Sequence, residues 1–414
     1  MQTAARPAAN APHRLAGRAA DLLIDAPTVS PAHTNQDVFQ LFDHHPALSG
    51  LPVIEDGRPI GLINRNIFMD SFARPFHREV YSHKSCIAFM DKSPLVVEAA
   101  TPLQELSFRA VEHGGKTLTD GFIVTADGDY TGMGTGIDLV RAISELQAER
   151  NRQVMESIAY ASVIQRSFLR PSREALQKLL PDHLLLWEPR DTVGGDAFYF
   201  TPRGAGFVAT LFDCTGHGVP GAFMTLIMAS FIENALIAEP DCSLTALLGR
   251  VNRGVKRALG QIDHSHADES ESQERSDDGM DGGFLAWEPA TRTLRYAGAR
   301  TPLLLLRPGA AEVEQIDGDR AGVGYAGTPL EQAWTEQALT LEPGTLVCVA
   351  SDGLYDQPGG PKRIAFGRKR LYALLLEHRA APLPQLRQAL VAAYGDWQGE
   401  EPRRDDLSVL AFRI

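Results

Sequence analysis

Apolar residues between about positions 30 and 142 fall into short runs that alternate with amphipathic helical patterns. Two apolar runs flank Asp56-Gly57, which predicts two strands joined by a tight turn. The same arrangement recurs around Asp127-Gly128, so the two turn glycines are 71 residues apart (128 − 57). Helical patterns precede and follow each strand pair, at residues 37–45, 65–72, 102–112 and 137–146. The pattern predicts an internal repeat of helix–strand–strand–helix units.

A helical pattern then continues from Ile137 to about Arg170. Apolar residues near one stripe of this segment are Leu139, Ile143, Leu146, Val154, Ile158, Ala161 and Phe168. The charged segment Glu149-Arg-Asn-Arg152 interrupts the stripe, which favours a long connecting helix over a stable coiled coil. We expect this helix to end between Pro171 and Pro181. The stripe also offers an apolar surface to a second copy, so we predict a homodimer.

The C-terminal half is rich in strand patterns. Apolar runs predict strands at residues 184–187, 198–200, 207–212, 284–287, 293–297, 303–306, 346–350 and 407–412. Helical patterns occupy residues 220–238, 244–259, 369–379 and 383–393. This order predicts an α+β fold in which packed antiparallel sheets are covered by helices.

Composition narrows the classes of function. The chain of 414 residues has 44% apolar residues and a formal net charge of −12, which argues against a general nucleic-acid or anionic-membrane binder. Its four cysteines are scattered, as in proteins of a reducing cytoplasm. No run approaches the roughly 18 consecutive apolar residues of a membrane helix. We therefore expect a cytoplasmic protein with a flexible tail at residues 1–29.

Acidic motifs at strand ends or turns are the candidate chemistry. They are Val193-Gly-Gly-Asp196, Asp213-Cys-Thr-Gly-His-Gly218, Ser351-Asp-Gly353 and Arg404-Asp-Asp-Leu-Ser408. Glycine lets the backbone bend tightly beside a carboxylate, and Mg²⁺ and Mn²⁺ prefer oxygen ligands. The 17 residues (213 − 196) between the first two aspartates fit one hairpin, which predicts neighbouring strands. Two cations that share a carboxylate activate a bridging water at neutral pH.

In their order along the chain, these motifs resemble those of the type 2C (PPM) protein serine/threonine phosphatases, in the bacterial branch typified by SpoIIE. The resemblance covers about residues 181–414 and implies an αββα sandwich, with two antiparallel sheets flanked by helices. It also implies two Mn²⁺ or Mg²⁺ ions and direct hydrolysis of phosphoserine or phosphothreonine by a metal-activated water. The substrate that it implies is a small regulatory protein, because this branch commonly acts on anti-sigma-factor antagonists.

The resemblance assigns a metal-binding or catalytic role residue by residue. Asp196 is expected to bind one metal and Asp213 to bridge both. The backbone carbonyl of Cys214 completes the first site, and Asp352 and Asp405 hold the second.

Further residues are open to two interpretations. Asp406 is expected to support the ligands rather than bind a metal. In the segment 276–281, Asp278 or Asp281 is a candidate ligand of a third metal, although an acidic solvated loop is the stronger interpretation. Arg300 stands where many relatives have histidine, and either contacts phosphate or is a surface charge.

Arg190 and His217 flank the first two motifs. Arg190 is a second phosphate candidate on the same grounds as Arg300. His217 either forms a structural hydrogen bond, which is the commoner arrangement, or assists the leaving group.

The N-terminal repeat resembles a pair of CBS domains, predicted here at residues 30–142 and joined to the phosphatase by a linker at 143–180. Family sites often place a hydroxyl residue and then an aspartate at a helix start, and Thr135 and Asp138 match this in the second repeat. The first repeat departs, with Asn64 and Ile67 there. The resemblance implies at most one adenosyl-ligand site; alternatively, Asp138 only caps its helix.

Other classes of function were weighed against a metal-dependent phosphatase. A cysteine phosphatase needs an arginine six residues after its cysteine, and none of the four cysteines has one. No GxxxxGK[ST] loop occurs, which argues against nucleotide hydrolysis of that class. The alternatives that stay open are a scaffold with an inactive phosphatase domain and an adenosyl-ligand sensor with weak phosphatase output.

Overall fold

The computed structural model describes residues 17–261 and 277–414. The chain divides into two compact units, with the boundary between Met155 and Glu156. Each unit has its own hydrophobic clusters.

The N-terminal unit contains the predicted repeat. Its helices and strands are α1 Asn35–His44, β1 Gly50–Glu55, β2 Arg58–Asn64, α2 Arg65–Phe72, α3 His77–Tyr81, β3 Val96–Glu98, α4 Leu103–His113, α5 Gly115–Asp120, β4 Phe122–Ala126 and β5 Asp129–Gly134. Strands β1 and β2 form one antiparallel hairpin, and β4 and β5 form another that β3 extends in parallel.

The two hairpins agree in detail. Both turns have positive φ at two successive residues, Asp56-Gly57 (49° and 81°) and Asp127-Gly128 (54° and 85°), as a type I′ turn requires. The strand register shifts between Val53 and Ile54 in one hairpin and between Val124 and Thr125 in the other. These bulges are 71 residues apart (124 − 53), the same offset as the turn glycines.

The prediction of a flexible tail up to residue 29 is wrong for residues 17–29. Ala19, Leu22 and Val29 are buried in the N-terminal unit. The Val29 N–H donates to the carbonyl of Pro52, so this segment is tied to strand β1 by its backbone. These apolar side chains are spaced along an otherwise polar segment, and their burial holds the segment against the N-terminal unit. Residues 1–16 of the predicted tail lie outside the described residues.

A single helix, α6 Gly136–Leu179, follows the repeat and contributes to both units. Leu139 and Ala142 are buried in the N-terminal unit, whereas Leu169 and Leu176 join the phosphatase core. The helix passes through Pro171 and ends at Leu179, between Pro171 and Pro181 as predicted. Burial of Leu176 in the core stabilises the last turns, because it offsets the missing N–H donor of the proline.

The C-terminal unit follows the predicted order of strands and helices. Its elements are β6 His183–Glu188, β7 Asp196–Arg203, β8 Gly206–Cys214, α7 Gly218–Ala238, α8 Leu244–Ala258, β9 Met280–Glu288, β10 Thr293–Ala299, β11 Leu303–Leu306, β12 Glu314–Ile316, β13 Gln337–Thr340, β14 Leu346–Ala350, α9 Asp352–Tyr355, β15 Pro358–Gly359, β16 Ile364–Ala365, α10 Arg368–Glu377, α11 Leu383–Gln398 and β17 Leu407–Arg413.

These strands form two five-stranded sheets in the described residues. The orders are β13-β10-β9-β8-β7 and β12-β11-β14-β17-β6, and the recorded strand pairs within them are antiparallel. Helices α7 and α8 pack on the first sheet, and α10 and α11 on the second. The rings of Phe207 and Phe412 meet edge to face between the sheets, with centroids 5.3 Å apart. The predicted αββα sandwich is thus confirmed.

Near-continuous apolar runs in the second sheet follow from burial on both faces. In β14, Val347 and Val349 pack toward the first sheet, whereas Leu346 and Cys348 pack under α10 and α11. Successive side chains of a strand point to opposite faces, so a strand covered on both sides needs apolar residues at every position.

Helix α7 is apolar along most of its length. Among the described residues it alone is long and apolar enough, by composition, to cross a membrane, and 50% of that stretch is buried inside the protein. Met228 and Ile232 are fully buried in the cluster that joins α7 to the first sheet. These contacts are those of a core helix.

Candidate active site

Asp196 and Asp213 lie directly opposite each other on neighbouring strands of the first sheet. Asp196 begins β7, Asp213 lies next to the end of β8, and the two are paired in the antiparallel register. Gly195 precedes Asp196 and Gly216 follows Asp213, and a side chain on Gly195 would collide with the carbonyl oxygens of Cys214 and Gly216. The backbone carbonyl of Cys214 therefore lies close to the loop that carries Asp196.

The other two aspartates come from the second sheet. Asp352 follows β14 and begins α9, and Asp405 precedes β17, which is the neighbour of β14. A side chain on Gly353 would overlap the Asp406 carbonyl, so glycine is required for these two segments to approach. Asp352 and Asp405 both act electrostatically on Asp213. The structure thus brings the four predicted aspartates to one end of the sandwich.

Asp406 holds the loop before β7 in place, as expected of a supporting residue. Its carboxylate accepts hydrogen bonds from the backbone N–H groups of Arg190 and Gly195, both at 2.5 Å, and of Asp196 at 3.3 Å. Asp406 is buried, with 2% of its surface exposed. The Asp406 carboxylate therefore fixes the position of Asp196 by binding backbone N–H groups, and we do not expect it to bind a metal ion itself.

Ser351 is a supporting residue that sequence reasoning did not single out. Its hydroxyl donates to the Asp196 carboxylate Oδ2 at 2.7 Å, across the two sheets. The N–H of Ser408 donates to the Ser351 Oγ at 3.1 Å. Ser351 therefore orients one oxygen of Asp196 and leaves the other, Oδ1, buried and without a hydrogen-bond partner in the described part of the chain.

The carboxylates of this site oppose one another electrostatically. Burial, followed by the charge of Asp406, raises the pKa of Asp196 to about 7. Burial, followed by the charges of Asp196, Asp352 and Asp405, raises the pKa of Asp213 far above its usual range. A divalent cation would reverse this effect, because it stabilises the carboxylate form of each ligand.

The residues present fit hard cations with few protein ligands. Within the described residues, no three acidic, thiol or imidazole groups are grouped closely enough to hold an ion alone. Mg²⁺ commonly keeps several waters and takes one or two carboxylates. Burial also raises the pKa of the Cys214 thiol well above its usual value, so the carbonyl of this residue is its available donor. The donor set is oxygen, as Mg²⁺ and Mn²⁺ prefer.

A hollow of about 120 Å³ lies beside these aspartates. Asp213, Asp352, Arg300 and Arg368 are among the residues that line it. Arg300 has a positive φ of 56° and is held by an ion pair of 3.5 Å with Asp281. Its guanidinium also lies 4.6 Å from the ring centroid of Tyr325. These contacts orient Arg300 at the hollow, so it is not an unconstrained surface charge.

Arg368 is a second arginine at this hollow, and the sequence analysis did not single it out. It begins helix α10, and its guanidinium lies 5.4 Å from the ring centroid of Tyr355. Arg368 is 155 residues (368 − 213) from Asp213, and no motif surrounds it. Only the packing of α10 on the second sheet brings it to the hollow.

Arg190 and His217 meet at Asp191 instead. The guanidinium of Arg190 forms an ion pair of 3.4 Å with Asp191 and donates to the Arg404 carbonyl at 3.2 Å. His217 precedes helix α7, and its Nδ1 lies 3.2 Å from the Asp191 carboxylate. Neither residue belongs to the lining of the hollow beside Asp213.

The segment that includes Asp278 and Asp281 is partly strand. The predicted acidic solvated loop at 276–281 is wrong at its end, because β9 begins at Met280 and Asp281 pairs with Asp213 in the register of β8 and β9. The glycines of β9 allow close strand packing there. Asp278 accepts a hydrogen bond at its carbonyl from Gln261, and residue 276 lies outside the described residues.

Thr135 and Asp138 interact with each other at the start of helix α6. The Thr135 hydroxyl donates to the Asp138 carboxylate at 2.6 Å and accepts from the Asp138 N–H at 3.1 Å. In the first repeat, the Asn64 side chain accepts from the Ile67 N–H at 2.8 Å, so the same position is a helix cap in both copies.

Comparison with protein families gives two matches. The family described as Stage II sporulation protein E (SpoIIE) matches residues 203–414, and the CBS domain family matches residues 19–73. The CBS match covers the first repeat. The second repeat is related to it by the shared hairpin geometry described above.

Among solved structures, the SiaA-PP2C domain of Pseudomonas aeruginosa is 32% identical, over 64% of this chain and 99% of that one, with a TM-score of 0.56. The PP2C phosphatase domain of SpoIIE from Bacillus subtilis, with a fragment of its regulatory domain, is 15% identical over 56% and 62% of the two chains (TM-score 0.44). The RsbU and RsbW domains of a Mycobacterium tuberculosis protein are 19% identical over 56% and 59% (TM-score 0.45).

No match was found among the curated proteins. The SpoIIE match spans half of the chain, and the SiaA-PP2C domain is covered almost completely. The chain therefore belongs to the SpoIIE family of PP2C-type (PPM) serine/threonine phosphatases, a metal-dependent class, and carries an N-terminal CBS domain.

Proposed function

We propose that the C-terminal unit hydrolyses phosphoserine or phosphothreonine in a protein with the help of two Mn²⁺ or Mg²⁺ ions. The observation that carries this proposal is the convergence of four aspartates from both sheets, two of which, Asp213 and Asp352, line one hollow. In this proposal Asp196 and the Cys214 carbonyl hold one ion, Asp352 and Asp405 hold the other, and Asp213 bridges them.

When bound, the ions supply a water that is nucleophilic at neutral pH and neutralise charge that develops on the phosphoryl group. The chain's own residues set the geometry. Ser351 and Asp406 fix Asp196 through the hydrogen bonds described above. The Oδ2 atom of Asp196 accepts a hydrogen bond from Ser351, whereas its Oδ1 atom has no hydrogen-bond partner in the described part of the chain. Asp196 therefore presents a single oxygen, Oδ1, to an ion.

Arg300 and Arg368 are proposed to hold the phosphate. Both line the hollow beside Asp213 and Asp352, and guanidinium groups bind phosphate oxygens through paired N–H donors. Each is oriented by an aromatic ring, Tyr325 for Arg300 and Tyr355 for Arg368. Orientation before binding lowers the entropy lost when the substrate docks. Arg190 is a weaker candidate, since Asp191 and the Arg404 carbonyl already bind its guanidinium.

The substrate that we propose is a small regulatory phosphoprotein of the anti-sigma-factor antagonist type. Membership of the SpoIIE family supports this choice. The hollow of about 120 Å³ also supports a short phosphorylated side chain, because small-molecule sites are usually several hundred Å³. We expect the phosphatase to act in the cytoplasm.

Regulation by the N-terminal unit is proposed to run through helix α6. Gln165 is buried and its side chain donates to the Gly194 carbonyl at 2.7 Å, while the Gly194 N–H lies 3.4 Å from its Oε1. Gly194 belongs to the loop that positions Asp196. A change in α6 would therefore act on a metal ligand through two hydrogen bonds. A ligand shifts such an equilibrium only if it binds the two states with different affinity.

An adenosyl ligand at Thr135 and Asp138 remains a proposal with less support. These side chains bond to each other, as in a helix cap, and Arg141 pairs with Asp138 at 3.3 Å. If AMP, ADP, ATP and S-adenosylmethionine all fail to bind below millimolar concentration in calorimetric titration, the repeat is better interpreted as a dimerisation module.

A homodimer is proposed through α6 and the repeat. The predicted stripe is partly wrong as a dimer surface, because Leu139 is buried within its own unit. Other apolar residues of the helix are exposed instead, among them Tyr160 (69%) and Val163 (58%). Sedimentation that shows a monomer at tens of micromolar would remove this proposal, because specific interfaces form at lower concentrations.

Turnover of para-nitrophenyl phosphate by the full chain tests the proposed function. We expect activity with added Mn²⁺, loss of activity with a chelator, and recovery when Mn²⁺ is restored. A chain that binds Mn²⁺ but shows no turnover of this substrate or of a phosphoprotein would favour the alternative, a sensor or scaffold with an inactive phosphatase domain.

A further inference from the structure

A row of arginines lies on one side of helix α6, where the helix packs on the phosphatase. Arg166, Arg170 and Arg173 follow an i, i+4, i+7 spacing, which aligns them on one helix face. Leu169 and Leu176 of the adjacent face are buried in the phosphatase core. The row therefore follows the edge of a packed contact and not a face that is solvated on all sides.

These arginines border a hollow of about 640 Å³. Its opposite wall is formed by the end of strand β6 and the segment that leads to Asp196. The wall residues are Trp187, Glu188, Pro189, Asp191, Thr192 and Arg403. A hollow of this volume is in the range of small-molecule sites.

Positive charge is in excess in this hollow. Glu188 is paired with Arg403 at 2.9 Å, and Asp191 is paired with Arg190 at 3.4 Å. Arg170 pairs with Glu174 of its own helix at 3.5 Å. Among the described residues, no carboxylate lies within 4.0 Å of the guanidinium nitrogens of Arg166 or Arg173. Such a concentration of arginine contrasts with the net charge of −12 for the whole chain.

We propose that this arginine groove, defined by Arg166, Arg170 and Arg173 on one side and by Trp187 and Arg403 on the other, binds a small oligophosphate. Seven residues of helix separate Arg166 from Arg173, which is about 10 Å along the axis. A single phosphate reaches two neighbouring arginines, whereas two or three linked phosphates match the whole row. Guanidinium groups favour phosphate oxygens through paired N–H donors. The ligand class is therefore a nucleoside polyphosphate or an inorganic polyphosphate.

The groove is connected to the metal ligands by hydrogen bonds. The Trp187 indole N–H donates to the backbone carbonyl of Asp196 at 2.8 Å. Gln165, which precedes Arg166, donates to Gly194. A ligand that draws the arginine row toward the Trp187 wall acts on both contacts at once. Binding itself requires no catalysis, so the groove is independent of the proposed phosphatase reaction.

The test is calorimetric titration of the full chain with a chelator present throughout, since oligophosphates would otherwise compete for the metal ions. The probes are inorganic triphosphate, pyrophosphate, orthophosphate and ATP. We expect triphosphate to bind at micromolar concentration and orthophosphate to bind at least roughly tenfold more weakly, because it engages fewer arginines. Tighter binding of ATP than of triphosphate would identify the ligand as a nucleoside polyphosphate. Equal binding of the two would identify it as an inorganic polyphosphate.

Variants locate the site. Arg166→Ala combined with Arg173→Ala should weaken triphosphate binding by roughly tenfold or more. The matched control, Arg150→Ala with Lys178→Ala, removes two exposed charges of the same helix outside the groove and should change affinity less than about twofold. Because Arg173 lies 5.8 Å from the Phe198 ring centroid, Arg166→Glu alone serves as a variant that leaves this contact intact.

Several outcomes would overturn the proposal. They are no binding of triphosphate at millimolar concentration, unchanged affinity in the groove variants, or loss of binding in Asp138→Ala, which would place the ligand in the N-terminal unit. Binding of an acidic peptide without binding of triphosphate would also overturn it. Asp213→Asn should bind triphosphate normally, so failure of the groove and failure of the phosphatase proposal are separate results.

Discussion

The phosphatase site and the Thr135–Asp138 pair of the repeat both place acidic residues at or near the ends of strands, but they differ in the hydrogen-bond and charge partners of those residues. Asp196, Asp213, Asp352 and Asp405 come from distant parts of the chain. Burial, followed by neighbouring carboxylate charge, raises the pKa of Asp196, Asp213 and Asp352. Asp138, in contrast, is bonded to a hydroxyl three residues away.

This difference shows what makes an acidic motif chemically informative. A carboxylate that its own turn satisfies stabilises that turn and needs nothing from outside. Carboxylates gathered by the fold against their mutual repulsion cost free energy, unless a cation joins them. Substitutions at these two kinds of acidic site are therefore expected to differ in their effects on activity and stability.

The largest effect is expected for Asp213→Asn. We expect turnover of para-nitrophenyl phosphate to fall by about a thousandfold, more than for any other single change, because the variant loses the ligand proposed to serve both ions. Asp241→Asn is the matched control, since the Asp241 side chain is 93% exposed and distant from the site. Steady-state kinetics at saturating Mn²⁺ is the measurement. Wild-type turnover in Asp213→Asn would refute the metal assignment.

The second effect concerns pH in the absence of metal. The pKa of Asp196 is about 7 in the folded chain, and an unfolded aspartate has a pKa of about 3.9. Between these values the folded state binds more protons, so the free energy of unfolding falls as pH rises from about 4 to about 7. The slope is about 1.4 kcal/mol per pH unit for one such carboxyl.

Urea unfolding at pH 5 and pH 7 measures this slope, with a chelator and with saturating Mn²⁺. Tryptophan fluorescence reports on the phosphatase unit, because Trp187, Trp287, Trp334 and Trp397 all lie after the unit boundary. Mn²⁺ should remove the fall in stability, since the ligands are then held as carboxylates. Asp196→Asn should reduce the slope without metal by the contribution of one carboxyl, and Asp213, whose pKa is also raised, should contribute to the slope that remains. An unchanged slope would assign it to groups other than Asp196.

A third, intermediate effect is expected for Arg368→Ala. The KM for a phosphopeptide should rise by roughly tenfold, because one charge-assisted contact with the phosphate is lost. Arg368→Lys should recover part of the loss, and Lys369→Ala, the neighbouring charge, should leave KM unchanged. Equal effects of Arg368→Ala and Lys369→Ala would indicate general charge and not a phosphate contact.

The smallest effect is expected for Thr135→Ala. Loss of a helix cap costs about 1 kcal/mol, so calorimetric melting of the repeat should shift by a few degrees. Basal phosphatase activity should not change. Thr135→Ser keeps the hydroxyl and should keep the stability. A strong loss of nucleotide binding in Thr135→Ala, with stability preserved, would reverse the distinction drawn between the two sites.

The sequence predicted the site where its geometry is local. Asp196 and Asp213 are 17 residues apart (213 − 196) and lie opposite each other, as a hairpin requires. The sandwich followed from apolar runs whose alternating faces are both buried. The sequence analysis did not predict the short strands β12, β13, β15 and β16, because runs of two to four residues are too short to show a periodic pattern.

Other parts depended on contacts that no local pattern encodes. Arg368 and Gln165 reach the site only because their helices pack on the sandwich. Pro171 and Pro181 bracket the end of α6 in the sequence, but its exact position at Leu179 depends on the burial of Leu176 in the core. Polar neighbours of Asp281 predicted a loop, although pairing with Asp213 makes it part of a strand.

The bulge that recurs at Val53 and Val124 bears on the history of the N-terminal unit. The two bulges occupy the same position in their hairpins, which indicates that the two hairpins arose by duplication of an ancestral segment. After duplication the copies kept what folding requires, the turn and the bulge. The two helix starts then diverged in side-chain chemistry, to Asn64 and Ile67 in one copy and Thr135 and Asp138 in the other. The two copies therefore share one backbone geometry, whereas only the second copy carries an acidic residue at this helix start.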